Sequence, residues 1–147
     1  MSMTEDGFDL QAFARRAQAV REFVHDRERD GVKFNVRYPS RFERLAIDAR
    51  YADDAAAKVR AVVLASVTGW SGVQVKHALP DAKNPSDVLP FGPDTLALLF
   101  DEQTVWMIDL WTDIKNRIAA RDKAIEESLK NSESASATSD DAPAPVN

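Results

Sequence analysis

A chain of 147 residues, 44% apolar and 29% charged, has the length and composition of one soluble domain with its own core. It has no cysteine and two histidines, His25 and His77, which excludes disulfides, thiolate nucleophiles and cysteine-based zinc sites and leaves too few nitrogen ligands for a histidine one. The net charge of −5 is uneven, with 12 Lys/Arg against 11 Asp/Glu in residues 1–60 and 7 against 13 in residues 61–147, a balance without the basic face that phosphate binding needs.

The N-terminus, MSMTEDGFDLQ, is polar and lacks the apolar stretch of a signal peptide. Asp9 is a candidate N-cap, and Leu10, Phe13, Ala17, Val20 and Val24 recur at helical intervals. This predicts a first helix reaching about Glu28 and ended by Asp30-Gly31. Arg15, Arg16, Arg21, Arg27 and Arg29 interleave there with Glu22, Asp26, Glu28 and Asp30, the pattern of a salt-bridged, solvated face rather than a nucleic-acid patch. In VKFNVRYPS, Val32, Phe34, Val36 and Tyr38 alternate with Lys33, Asn35 and Arg37, which predicts a strand with one buried face, ended by Pro39. Ser40 caps a short helix over 41–51 that should bury Phe42, Leu45 and Ala49.

Asp53 or Asp54 opens the next helix, whose stripe is Ala55, Val59, Val62, Val63, Ser66 and Val67, until TGWSG breaks it. Residues 73–88 contain Pro80 and Pro85 and read as a loop. The strand at 32–38 needs a partner for its backbone groups, and residues 73–76 are the expected one. Pro93 suits the first turn of a helix that buries Leu96, Leu99 and Phe100, and residues 101–103 form a break. The last helix spans about 104–130. Met107, Trp111, Ile114, Ile118, Ile125 and Leu129 share one side of it, in part at heptad-like steps. Asp101, Glu102, Asp109 and Asp113 interrupt the apolar stretch from Leu96 to Ile114, so it is no bilayer span. At 1.5 Å per residue the helix is about 40 Å long, against roughly 30 Å for the width of such a domain. Its end is expected either to project with a partner-seeking seam or to fold back on the first helix.

Residues 131–147, NSESASATSDDAPAPVN, have little to bury and read as a disordered tail. The expected architecture is therefore mainly α: one domain over 1–130, about five helices with a minor two-stranded β element, and a tail over 131–147.

No constellation points to catalysis, a cofactor or a metal. GWSGV lacks the spacing and the lysine of a phosphate-cradling loop. The neighbouring carboxylates Asp53–Asp54 and Glu126–Glu127 diverge around their helices, and Asp109 with Asp113 lies beside Lys115, Asn116 and Arg117 on what reads as a solvated face. Three tryptophans remain, Trp70, Trp106 and Trp111, a residue type favoured at protein-binding hot spots and equally suited to core anchoring.

The valine-rich helix ending in TGWSGV, the loop after it and LPFGPDTLALLF resemble the tail assembly chaperones of long-tailed bacteriophages. The matching positions are Trp70, Gly72, Val73, Leu89, Pro90, Phe91, Leu96, Leu98 and Leu99, with KFNVRYPS upstream, over roughly residues 32–115. One departure is QVKHALPDAKNPSDV, which stands where family members often have an acidic-glycine turn. The resemblance implies a non-catalytic protein of the host cytoplasm, absent from the finished virion, that binds the tape-measure protein and helps tail tube protein gather around it. Self-association is a further expectation. On this reading Trp106, Trp111, Ile118 and Ile125 contact client or self, while Trp70, Gly72 and Phe91 build the structural turn. A structural virion component, such as a connector or completion protein, and a bacterial helical adaptor are the alternatives.

Overall fold

The computed structural model describes residues 7–141, with side chains as far as residue 132. The elements are α1 (Leu10–Ala19), β1 (Glu22–Arg27), a 3-10 turn (Glu28–Asp30), β2 (Val32–Arg37), α2 (Arg41–Arg50), α3 (Ala55–Ser66), β3 (Val67–Ser71), α4 (Val75–Ala78), α5 (Pro93–Glu102) and α6 (Thr104–Asp141). This corrects the expectation of a mainly helical domain with about five helices and a two-stranded element. Among the described residues six α-helices accompany a three-stranded antiparallel sheet in the order β1-β2-β3, a mixed α/β architecture. The chain divides into two compact units, Met1–Thr112 and Asp113–Asn147, with the boundary inside α6. That helix runs to Asp141, past the expected end at Lys130. Residues 142–147 of the expected tail lie outside the described residues.

The first correction lies at the N-terminal end. Asp9 does cap α1, its carboxylate accepting from the Ala12 N–H at 3.1 Å. The helix stops at Ala19, however, and the chain turns at Val20 and Arg21 into β1. Gly31, at φ 70°, closes the turn between two antiparallel strands rather than a long helix. Asp-Gly is a hairpin signal as well as a helix stop. β2 is the central strand, which leaves both its backbone edges paired. Phe23 lies opposite Val36 and His25 opposite Phe34, so β1 turns these two alternate side chains toward the buried face and leaves Val24 outside.

The second partner of β2 is β3, not residues 73–76. Phe34 faces Trp70, Asn35 faces Gly69 and Val36 faces Val67, with Thr68 as the extra residue of a bulge. The Thr68 hydroxyl donates to the Asn35 carbonyl at 3.2 Å. A side chain on Gly69 would begin 3.3 Å from the Asn35 amide nitrogen, so glycine suits this crossing. Residues 73–75 instead run beside 87–89. The Leu89 N–H donates to Val73 O at 2.9 Å and the Val75 N–H to Asp87 O at 2.8 Å.

Local signals place the remaining helices. Ser40 and Glu43 form a reciprocal capping box at the start of α2, with bonds of 3.2 and 3.0 Å. Those bonds hold the Glu43 carboxyl below its ordinary value, the backbone bond at Ser40 foremost. Pro93 opens α5, which buries Leu96, Leu99 and Phe100. In α6 the buried residues are Trp106, Leu110 and Ile114, a row at steps of four, while Met107, Trp111 and Ile118 are half-buried beside it. The buried row keeps Ile114 of the expected seam and runs through Leu110 and Trp106 in place of Trp111 and Met107.

The core of the first unit centres on Phe34, which is fully buried. Its ring lies 5.6 Å from Phe100, 6.3 Å from Trp70 and from Trp106, and 6.4 Å from His25. Rings from both outer strands and from α5 and α6 therefore meet one side chain of the middle strand. Phe34→Ala should cost about 4 kcal/mol, read as a lowered urea midpoint, whereas Phe42→Ala, at a 78% exposed position, should stay within about 0.5 kcal/mol.

Candidate protein-binding surface

The GWSGV turn is held by aromatic packing and by two glycines. The Trp70 indole N–H donates to the Leu89 carbonyl at 2.8 Å, and its ring meets Phe91 edge to face at 5.0 Å. Trp70 thereby joins the end of β3 to the segment entering α5. Gly72 has φ 80°, a left-handed conformation that costs other residues roughly 1–2 kcal/mol. A Cβ on it would overlap the backbone carbonyl of Gly31. Turn and hairpin therefore touch backbone to backbone, and a side chain fits at Gly72 only if one of them moves.

Trp106 was expected at a partner interface, and the fold places it elsewhere. It is 6% exposed, with Phe34 on one side and the His77 ring at 5.1 Å. The Arg27 guanidinium lies 5.0 Å from its ring centre and is itself bonded to Asp30 at 3.0 Å and Asp109 at 2.8 Å. A fully charged guanidinium with an aromatic ring and two carboxylates around it fixes the hairpin end against α6. The Gln103 side chain donates to the His77 carbonyl at 3.0 Å, and His77 Nδ1 accepts from the Gln74 N–H at 2.9 Å. Burial holds the His77 imidazole below the ordinary value of 6.5, with Lys76 acting in the same sense and Asp30 against it. These groups are committed to holding the fold.

The other expected contact residues lie on α6. Trp111 and Ile118 are half-buried, and Ile125 is 37% exposed. Leu129 is more exposed still.

Helices α1 and α2 both leave apolar side chains in solvent. Helix α1 is amphipathic and buries none of its residues. Leu10 and Phe13 are 53% and 55% exposed, and Phe13 carries the Phe8 ring at 5.3 Å. Helix α2 likewise buries none, with Phe42 at 78% and Leu45 at 65%. This overturns the expected burial of Phe42, Leu45 and Ala49. Val20 and, on β1, Val24 are also exposed, and Val24 lines an open depression of about 250 Å³ with Glu22, Phe23, Asn35, Val36 and Thr68. The two helices are joined at one end. Arg21, just past α1, donates to the Tyr38 carbonyl at 2.7 Å and reaches Glu43 of α2 at 3.4 Å. Sequence periodicity identified the apolar stripe on each helix; it carries no sign of whether the same chain covers it.

Among the described residues no three His, Asp or Glu side chains gather as metal ligands, and no helix is long and apolar enough to cross a membrane. Comparison with known protein families, with curated proteins and with solved structures finds no match in any of the three.

Two outcomes follow. Gly72→Ala should destabilise the protein by about 3 kcal/mol, from left-handed strain and overlap together, lowering the melting temperature by on the order of 10 °C. Gly92→Ala, at φ −174° with its nearest neighbour at 3.8 Å, should cost under about 1 kcal/mol. For His77, the folded state favours the neutral ring, so its contribution is complete above pH 6.5 and declines as pH falls through that value toward the lowered one. Urea midpoints should therefore drop on going below pH 6.5, and His77→Gln should flatten that part of the profile. The loss due to Glu43 lies lower, below its ordinary 4.5.

Proposed function

We propose that this chain is a non-catalytic assembly chaperone that holds an apolar helical client on the outward faces of α1 and α2. The single observation carrying this reading is that two amphipathic helices leave Leu10, Phe13, Phe42 and Leu45 in solvent. Exposed apolar surface of this kind marks protein-binding sites, and amphipathic helices commonly dock on such faces through side chains one turn apart. The core beneath is tied to the GWSGV turn and to α5, so client binding and release need not disturb it. The resemblance of TGWSGV and LPFGPDTLALLF to the tail assembly chaperones supplies the client: the tape-measure protein, around which tail tube protein then gathers. On that reading the chain acts in the host cytoplasm and is missing from the finished particle.

Of the residues first expected at the interface, Trp111, Ile118 and Ile125 retain exposed surface for client or self contact, whereas Trp106 belongs to the core.

The test is co-expression with the tape-measure protein. Phe13→Ser combined with Leu45→Ser should lower the amount of soluble complex by tenfold or more, on the order of 1.4 kcal/mol or above, while the urea midpoint moves little because both sites are exposed. Unchanged complex formation in a folded double variant would remove α1 and α2 from the site. Detection of the chain in purified particles by mass spectrometry would identify a virion component instead.

A further inference from the structure

Trp106 is buried beneath a thin cover. Its ring is 6% exposed, with Phe34 at 6.3 Å, the Arg27 guanidinium at 5.0 Å and the His77 ring at 5.1 Å. Phe34 and Arg27 belong to the sheet. His77 belongs to α4, a helix of four residues, too short to persist without outside contacts. No residue from Gln74 to Pro90 is fully buried, whereas Val73 just before them is 0% exposed. The cover therefore has little apolar burial of its own, and polar bonds hold it.

His77 supplies two of those bonds. Its carbonyl accepts from the Gln103 side chain at 3.0 Å, and its ring Nδ1 accepts from the Gln74 N–H at 2.9 Å. A ring nitrogen that accepts carries a lone pair, so this imidazole is neutral with its proton on Nε2. Protonation puts a second N–H on Nδ1, aimed at the Gln74 N–H, and the bond becomes a contact between two donors. The same proton brings a second cation to Trp106, whose ring already has the Arg27 guanidinium on it, and sets it beside Lys76. Asp30 acts the other way, yet its carboxylate is bonded to Arg27 at 3.0 Å, and Asp109 is bonded there too at 2.8 Å. Helix α5, which packs on α4, carries Asp94, Asp101 and Glu102, of which Asp101 is bonded to Arg60 at 2.7 Å. Burial and Lys76 together outweigh Asp30, which keeps the ring neutral to below its ordinary 6.5.

We propose that His77 is an acid-operated latch: neutral, it pins α4 over Trp106; protonated, it lets α4 swing away and Trp106 becomes accessible, while the sheet and its Phe34 core stay folded. The bonds from Val75 N–H to Asp87 O at 2.8 Å and from Leu89 N–H to Val73 O at 2.9 Å form the hinge. Local opening of this kind belongs to segments with few buried contacts. The latch is fully closed above pH 6.5 and opens as pH falls through the lowered value. The inference stands apart from the reading of α1 and α2 as a docking surface.

Backbone amide exchange of the full chain, corrected for the intrinsic effect of pH, tests it between about pH 7.5 and pH 5. The Gln74, His77 and Leu79 amides should exchange at least about tenfold faster at the lower pH, while Leu89 and β2 keep their protection. Over the same range the Trp106 indole resonance should become accessible to a soluble paramagnetic agent. A nitrogen spectrum of the rings should show Nδ1 of neutral His77 without a proton. His77→Gln should abolish the pH dependence. Gln103→Ala removes the donor to the carbonyl and leaves the titrating ring, so it should speed α4 exchange by one constant factor at every pH. Exchange of α4 that ignores pH, or a proton on Nδ1 of the neutral ring, overturns the latch. So does β2 exchange that rises together with α4, which makes the transition global. A pH response that persists in His77→Gln assigns it to His25 or to a carboxylate and also ends the inference. Should His77→Gln fail to fold, the wild-type protein decides: the ring titration and the opening of α4 must share one midpoint, and a mismatch overturns the proposal.

Discussion

One side chain in the middle strand sets what the rest of the first unit can do. Phe34 is sealed from solvent and touched by rings from β1, β3, α5 and α6. A small sheet is marginal unless something covers one of its faces. Here the cover is assembled from aromatic groups that are far apart in the chain and converge only when all three strands are in register. A slip of one residue in β2 would turn Phe34 outward with Val32 and Val36. Register, helix docking and the GWSGV turn are therefore one constraint. The turn hangs from Trp70, which is both a neighbour of Phe34 and the anchor for Leu89 and Phe91.

This arrangement explains how the molecule can leave so much apolar surface uncovered. The stabilising contacts run between the inward sheet face and the α5–α6 segment, with α3 contributing Val62, Val63 and Ser66. An aspartate cap and a capping box begin helices α1 and α2, α2 packs beside α3, and the Arg21 link ties the end of α1 to Tyr38 and Glu43. Their apolar stripes stay available. A surface used by a transient partner has to be separable from the core in this way, or release of the partner would cost fold stability.

The sequence was legible where the deciding interaction is local. Ser40 with Glu43, Pro93 and the alternation of Val32, Phe34 and Val36 each declare their element within a few residues, and α2, α5 and β2 appear where they were read. The first helix was overextended because Val20 and Val24 fit a helical stripe while Asp30-Gly31 fits both a helix stop and a hairpin turn; only pairing with β2 decides between them. Strand β3 was hidden for the same reason. Val67 continues the stripe of α3, and nothing nearby says that Trp70 must face Phe34. Trp106 was read as a client or self contact because it lies off a seam drawn through Met107 and Trp111; steps of four through Trp106, Leu110 and Ile114 would have found the buried row. The apolar side of α2 was legible, but its exposure was not, since a stripe facing a partner and a stripe facing the core look alike.

The neck formed by residues 73–75 and 87–89 has a practical corollary. Three backbone bonds, from Val75, Leu89 and Lys76, draw together the two ends of the segment between them. None of the three involves residues 80–84, so lengthening the segment there costs only a slowly growing loop entropy. New chain termini or an inserted reporter domain belong there, around Asp81 to Lys83, where the polypeptide can be opened without separating anything that touches Phe34.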